Sequence, residues 1–172
     1  LETLAKLRGD LEKLLKIPEG GAKLQFPTEV LDDSQYAGSK PGQFETLEAE
    51  HFVLHHYNEQ LAGEVAKVLE AHRARILALT GFKTAWSERA HVYVHRTQDV
   101  YTKLTGQPAW TGGMSRFRHG AGRGVVDMQI HTWQTSPKLF KSVLPHEVTH
   151  LIVNNELQAY EHLPRSLHEG FA

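Results

Sequence analysis

The sequence predicts an α+β domain. Short apolar stretches with two-residue alternation recur at "HFVLHHY", "AHVYVHR" and "GVVDMQIHT", the period of half-buried strands. Segments with apolar residues every three or four positions lie between and after them, the period of amphipathic helices. The chain has 172 residues, of which 40% are hydrophobic and 23% charged. That suits one domain large enough to bury a core.

Several function classes lose their basis at once. A net charge of −1 offers no electrostatic footprint for nucleic acid or an anionic membrane surface. No apolar run approaches the roughly 20 residues of a membrane-spanning helix, so no membrane insertion is expected. The chain has no cysteine, which excludes disulfides and thiolate metal sites. It starts at Leu1 rather than Met and ends three residues after Glu169, as expected of a piece of something longer.

The elements follow in order. Leu4, Leu7, Leu11, Leu14 and Leu15 form a helical stripe stopped by Pro18. Positions 18–43 are rich in Gly, Pro and Asp and read as a connector, so residues 1–43 are an N-terminal helix and linker, and 44–172 the domain proper. His51 to Tyr57 is a strand. Asn58 can cap a helix with Leu61, Val65, Val68, Leu69, His72 and Ile76 on one face, ended by Gly81. "AHVYVHR" sets Val92 and Val94 against His91, Tyr93 and His95. A short helix is predicted around Thr97 to Leu104. "GQPAWTGGMSRF" is a Gly-rich turn running into a strand. "GVVDMQIHT" sets Val126, Met128 and Ile130 inward. "SPKLFKSVLPHEVTHLIVNN" is helical, with Ser136 as cap, Pro137 in the first turn and Pro145 kinking or restarting the helix. "PRSLHEGFA" carries a second short helix.

"HEVTH" holds the chemistry. His146 and His150 are four residues apart, so a helix projects both from one face and they can bind one metal ion. Glu147 lies about 100° round, within reach of a water held there. Two neutral imidazoles and a carboxylate base are what a zinc hydrolase requires. The chain has 12 histidines, and composition alone would produce H-E-x-x-H in roughly 7% of such chains. The third ligand is therefore the discriminating feature. Glu156 stands at the distance where some zinc peptidases place a histidine, but Val153 replaces the glycine that turns the chain there. His162 and His168 are chemically competent. Glu169 could arrive on a helix that returns against the first.

HEVTH together with Glu169 in "LPRSLHEGFA" resembles the gluzincin metallopeptidases, and more fully the bacterial peptidase MA-like domains. There an "LPHE-x-x-H" helix is followed by "LP-x-W-L-x-E-G-x-A", and an upstream segment is similar to "VYVHRTQDVYTKLTGQPAWTGG". The resemblance covers about 44–172 and implies a zincin-like fold: a twisted mixed sheet packed on the active-site helix, with an edge strand along the cleft. It implies Zn²⁺ held by His146, His150 and Glu169, with Glu147 as general base, Tyr160 as a donor to the oxyanion, and a peptide or protein as substrate. Val125 to His131 is the expected edge strand. Two departures stand out. Ser166 replaces the usual Trp, and no "GxMEN" strand is present, which points to an endopeptidase rather than an aminopeptidase. Gluzincins continue into a helical part after the third ligand, so that part is expected to be missing here. The resemblance leans to an extracytoplasmic setting. The alternatives are a zincin-fold metal-binding module with little turnover, and a histidine-rich metal binder.

The remaining features read as structural. "HGAGRG" lacks the Lys-Ser/Thr of a phosphate loop and is a tight turn. His55, His56, His91 and His95 are strand-exposed, with surface metal binding as the alternative. Trp110 and Trp133 are core or cleft-rim aromatics.

Overall fold

The computed structural model describes residues 44–83, 85–120, 124–157 and 169–170. The expectations for the N-terminal helix and connector, and for Tyr160, His162, Ser166 and His168, lie outside the described residues.

Five strands and three helices are present among the described residues. In chain order they are β1 (Glu45–Glu48), β2 (Phe52–His56), α1 (Glu59–Thr80), β3 (Ala90–His95), α2 (Gln98–Thr105), β4 (Gly113–His119), β5 (Val125–Trp133) and α3 (Leu144–Leu157), the last preceded by a π-helical turn at Leu139–Val143. The strands form one mixed sheet in the order β1-β2-β3-β5-β4. β2, β3 and β5 run parallel, and β1 and β4 pair antiparallel at the two edges. No helix among the described residues is long and apolar enough to cross a membrane.

Local signals explain the helices. The Asn58 side chain accepts from the Leu61 N–H at 3.0 Å, and Gly81, at φ 71°, closes α1 in the left-handed conformation that glycine adopts without strain. α1 buries Leu61, Val65 and Leu69 completely. Val68, His72 and Ile76 are only partly buried. Thr97 caps α2 and Gly106 ends it. Ser136 does not cap a helix as expected. Its hydroxyl donates to the Gly112 carbonyl at 2.8 Å, and helical structure begins three residues later.

The core lies between one sheet face and the α1–α3 pair. Phe52 and Leu54 of β2, Val92 and Val94 of β3, and Met128 and Ile130 of β5 meet Leu61, Val65 and Leu69 of α1 and Val148, Leu151 and Ile152 of α3.

Three expectations require correction. β5, predicted as the edge strand, is interior, hydrogen-bonded to β3 on one side and β4 on the other. Among the described residues the edge on this side of the sheet is β4, because a hairpin folds the later strand inside the earlier one. Strict alternation along β5 also fails. Asp127 takes φ 51°, and the β4–β5 register shifts between Arg116 and Arg118. This bulge changes the parity, so Val125 is fully buried where Val126 was expected to be. Finally, the strand histidines are not simply exposed. His56 and His95 are buried, and β1, too short and polar to recognise beforehand, runs alongside β2.

Candidate metal centre

The helix that carries HEVTH is shaped by Pro145. A proline has no N–H to donate to the carbonyl four residues back, and its ring crowds that carbonyl. The chain answers with a wider turn. The Ser142 and Val143 N–H groups both donate to Lys138 O, and the Leu144 N–H donates to Leu139 O, before α3 starts afresh at Leu144. Such π-turns concentrate at functional sites. Val148, Leu151 and Ile152 are fully buried and anchor the helix. The Thr149 hydroxyl donates to Pro145 O at 2.7 Å.

This anchoring turns His146 and His150 outward from the core. Their Nε2 atoms stand 3.0 Å apart. Glu169 Oε2 lies 3.6 Å from His146 Nε2 and 3.9 Å from His150 Nε2. All three ligand atoms fall within 4.8 Å of one another. Ligands around a tetrahedral zinc with bonds of about 2.0–2.1 Å sit roughly 3.3–3.4 Å apart. The observed separations straddle that value, so a small inward adjustment of Glu169 and a small opening of the histidine pair suffice. Two imidazoles and one carboxylate suit zinc and leave a fourth position free. Glu156 does not join the group. α3 runs straight on to Leu157, so six residues carry Glu156 about 9 Å along the axis from His150.

Glu147 occupies a different environment from the three ligand residues. It is only 6% exposed. Burial pushes its carboxyl up to about 7, and the nearby Glu169 adds to the rise. Hydrogen bonds from the Ser115 side chain and backbone oppose it. Ser115 thus fixes the carboxylate from the edge strand. The sequence held a signal for this. Alternation along "GGMSRF" places Ser115 and Phe117 on one face of β4, and both line the cleft. The pairing of that face with Glu147 depends on tertiary contact.

The cleft measures about 490 Å³. His146, Glu147, His150 and Glu169 form its floor, and Gly113, Ser115 and Phe117 bring β4 along one wall. Gly112 and Gly113 are required there. A Cβ on Gly112 would sit 2.5 Å from Val143 Cγ2, and one on Gly113 would sit 2.6 Å from Val143 Cγ1. Only glycines let the edge strand approach the start of α3 this closely. The Gly112 carbonyl is held by two hydroxyls, Thr132 at 2.9 Å and Ser136 at 2.8 Å. Trp110 stands at the rim, 84% exposed, whereas Trp133 is core, its ring tilted against that of Tyr101 with centroids 4.9 Å apart.

The other histidines serve elsewhere. On the sheet face away from α3, His55 pairs with His91 at 2.9 Å and His95 with His131 at 3.1 Å, with Tyr93 stacked between His55 and His131. Burial pushes His95 and His131 down to about 4, which keeps the imidazoles neutral at pH 7. A second trio within ligand distance is Glu50, His51 and Glu70. His51 Nδ1 is engaged by Glu70 at 2.7 Å, and Glu50 is largely exposed.

In comparisons with known proteins, the chain matches no family profile, no curated protein and no solved structure.

Proposed function

We propose that the chain is a zinc-dependent metallopeptidase of the gluzincin kind, built on a zincin-like fold and acting as an endopeptidase. One observation carries the reading: the two imidazoles of HEVTH and the carboxylate of Glu169 converge beside a separate, buried carboxylate in one cleft.

His146, His150 and Glu169 would hold the metal. When bound, it supplies Lewis acidity, activating water and polarising a carbonyl oxygen. The rest of the chemistry belongs to the chain. Glu147, buried beside the metal-binding group and held by Ser115, is placed to take a proton from water and return it to a leaving amine. Ser115 keeps that carboxylate aimed into the cleft. The open edge of β4 offers backbone N–H and C=O groups to an extended peptide beside the floor of the cleft.

The decisive experiment is Glu147→Gln. The variant keeps one zinc per chain and loses hydrolysis of an unstructured protein substrate, which a chelator also abolishes in the unaltered chain. Peptidase activity persisting at the original level in the variant sinks the mechanism. One tightly bound zinc without turnover in the unaltered chain would favour a zincin-fold binding module instead.

A further inference from the structure

We propose that Trp110 is a specificity-determining residue of this cleft, selecting peptides with a bulky apolar or aromatic side chain close to the reacting bond. The inference rests on the peptidase reading and deepens it. Trp110 is the most exposed of the large hydrophobic residues in the described structure, at 84%, and it lines the same cleft as the four candidate catalytic and metal-binding groups. Leu79 and Leu104, the next most exposed, are not part of that lining. A single exposed apolar residue ordinarily needs no explanation. An indole at the mouth of a catalytic cleft differs, because a ligand residue can cover it.

The backbone that carries Trp110 is also held in place. It sits in a turn between α2 and β4 where the Thr111 N–H and hydroxyl both donate to Pro108 O, at 3.1 and 2.8 Å. Gln98 donates to the Ala109 carbonyl, and Tyr101 OH meets the Thr111 hydroxyl at 3.1 Å. Tyr101 is itself fully buried. The residues on both sides of Trp110 are therefore tied to α2 and the core. A ring carried on a pre-organised turn adds no backbone ordering cost when a partner stacks on it, so more of the contact appears as selectivity. Met114, Phe117 and Val143 extend the apolar wall inward. Because Trp110 and the candidate metal-binding group line one cleft, the substrate residue on Trp110 lies close to the scissile bond.

The test uses full-length, zinc-loaded protein and a set of peptides identical except at one position near the bond, where Phe or Leu alternates with Gly or Ala. The unaltered chain prefers the bulky member at least tenfold in kcat/KM. Trp110→Ala brings that ratio to within about twofold of unity, with zinc stoichiometry unchanged. Trp110→Phe keeps most of the preference. Binding gives a second readout without turnover. In Glu147→Gln the Phe peptide binds at least tenfold more tightly than the Gly peptide, and adding Trp110→Ala erases the difference. Selectivity that survives Trp110→Ala, or bulky and small peptides handled alike by the unaltered chain, overturns the inference while leaving the peptidase reading intact. Zinc-loaded protein that neither cleaves nor binds any peptide overturns both.

Discussion

Adding one methyl group at Gly113 should separate a steric requirement of the cleft wall from ordinary backbone preference. Gly113 has no positive φ, so alanine meets no conformational penalty there. In open space Gly→Ala would stabilise the fold by about 0.4–1 kcal/mol through the unfolded state. Space is not open. The new Cβ would lie 2.6 Å from Val143 Cγ1, 3.2 Å from His131 O and 3.4 Å from Glu147 Cγ. Val143 is β-branched and lies in the π-helical turn, where such side chains are stiff at χ1, so it yields little. Overpacking of this kind costs about 1–3 kcal/mol. The net expectation for Gly113→Ala is a loss of about 1–2 kcal/mol, or a fall of roughly 2–8 °C in Tm for a chain of this length. Urea unfolding followed by far-UV circular dichroism measures it. The Val143→Ala background supplies the control. There the 2.6 Å contact is gone while His131 O at 3.2 Å still offsets the backbone gain, so Gly113→Ala should become neutral within about 0.5 kcal/mol, a coupling of at least about 1 kcal/mol. An equal cost in both backgrounds would refute the packing account.

Three further predictions concern the metal group, the buried imidazoles and the seam between β5 and α3. Glu169→Gln should weaken zinc binding by more than the ~10–100-fold that loss of an outer partner costs, while Glu156→Gln leaves it unchanged; competition with a chromogenic chelator reads both. His95 and His131 are held neutral by burial, with folded values of about 4 against 6.5 for the free side chain. The unfolded chain therefore binds more protons between these values, so stability is full above pH 6.5 and falls as pH drops toward 4. His95→Gln should reduce the loss between pH 7.5 and 5 by about 1–2 kcal/mol, as measured by urea midpoints at the two pH values. Asn155 Oδ1 accepts from the buried Val125 N–H at 3.1 Å. Asn155→Ala leaves that donor unsatisfied and should cost about 1–3 kcal/mol, visible in the same unfolding assay.

Much of the architecture was legible because its signals are local. Two-residue alternation announced β2 and β3, and 3.6-residue spacing with Asn58 and Gly81 announced α1 and its ends. The four-residue spacing of His146 and His150 ensures that any helix there presents both on one face, and Pro145 announced the break before it. Each of these follows from bonding within a few residues, so neighbouring sequence is sufficient information.

What sequence left open depends on which distant segments meet. β1 offers four residues with little apolar character, and only pairing with β2 makes it a strand. Alternation says that a segment is a strand without saying who lies beside it, which is why β5 was misplaced at the edge that β4 occupies. The bulge at Asp127 reverses the parity of Val125 and Val126 through one backbone angle that no periodicity records. The same limit governs the site. The sequence by itself determined that HEVTH could hold a metal and proposed Glu169 as a partner. Tertiary structure alone brought Glu169 Oε2 to within 3.6 and 3.9 Å of the two histidines. It also buried Glu147 against Ser115 and set Trp110 at the mouth of the same cleft. Ligand identity is a matter of residue type, but convergence, desolvation and access are properties of the folded chain.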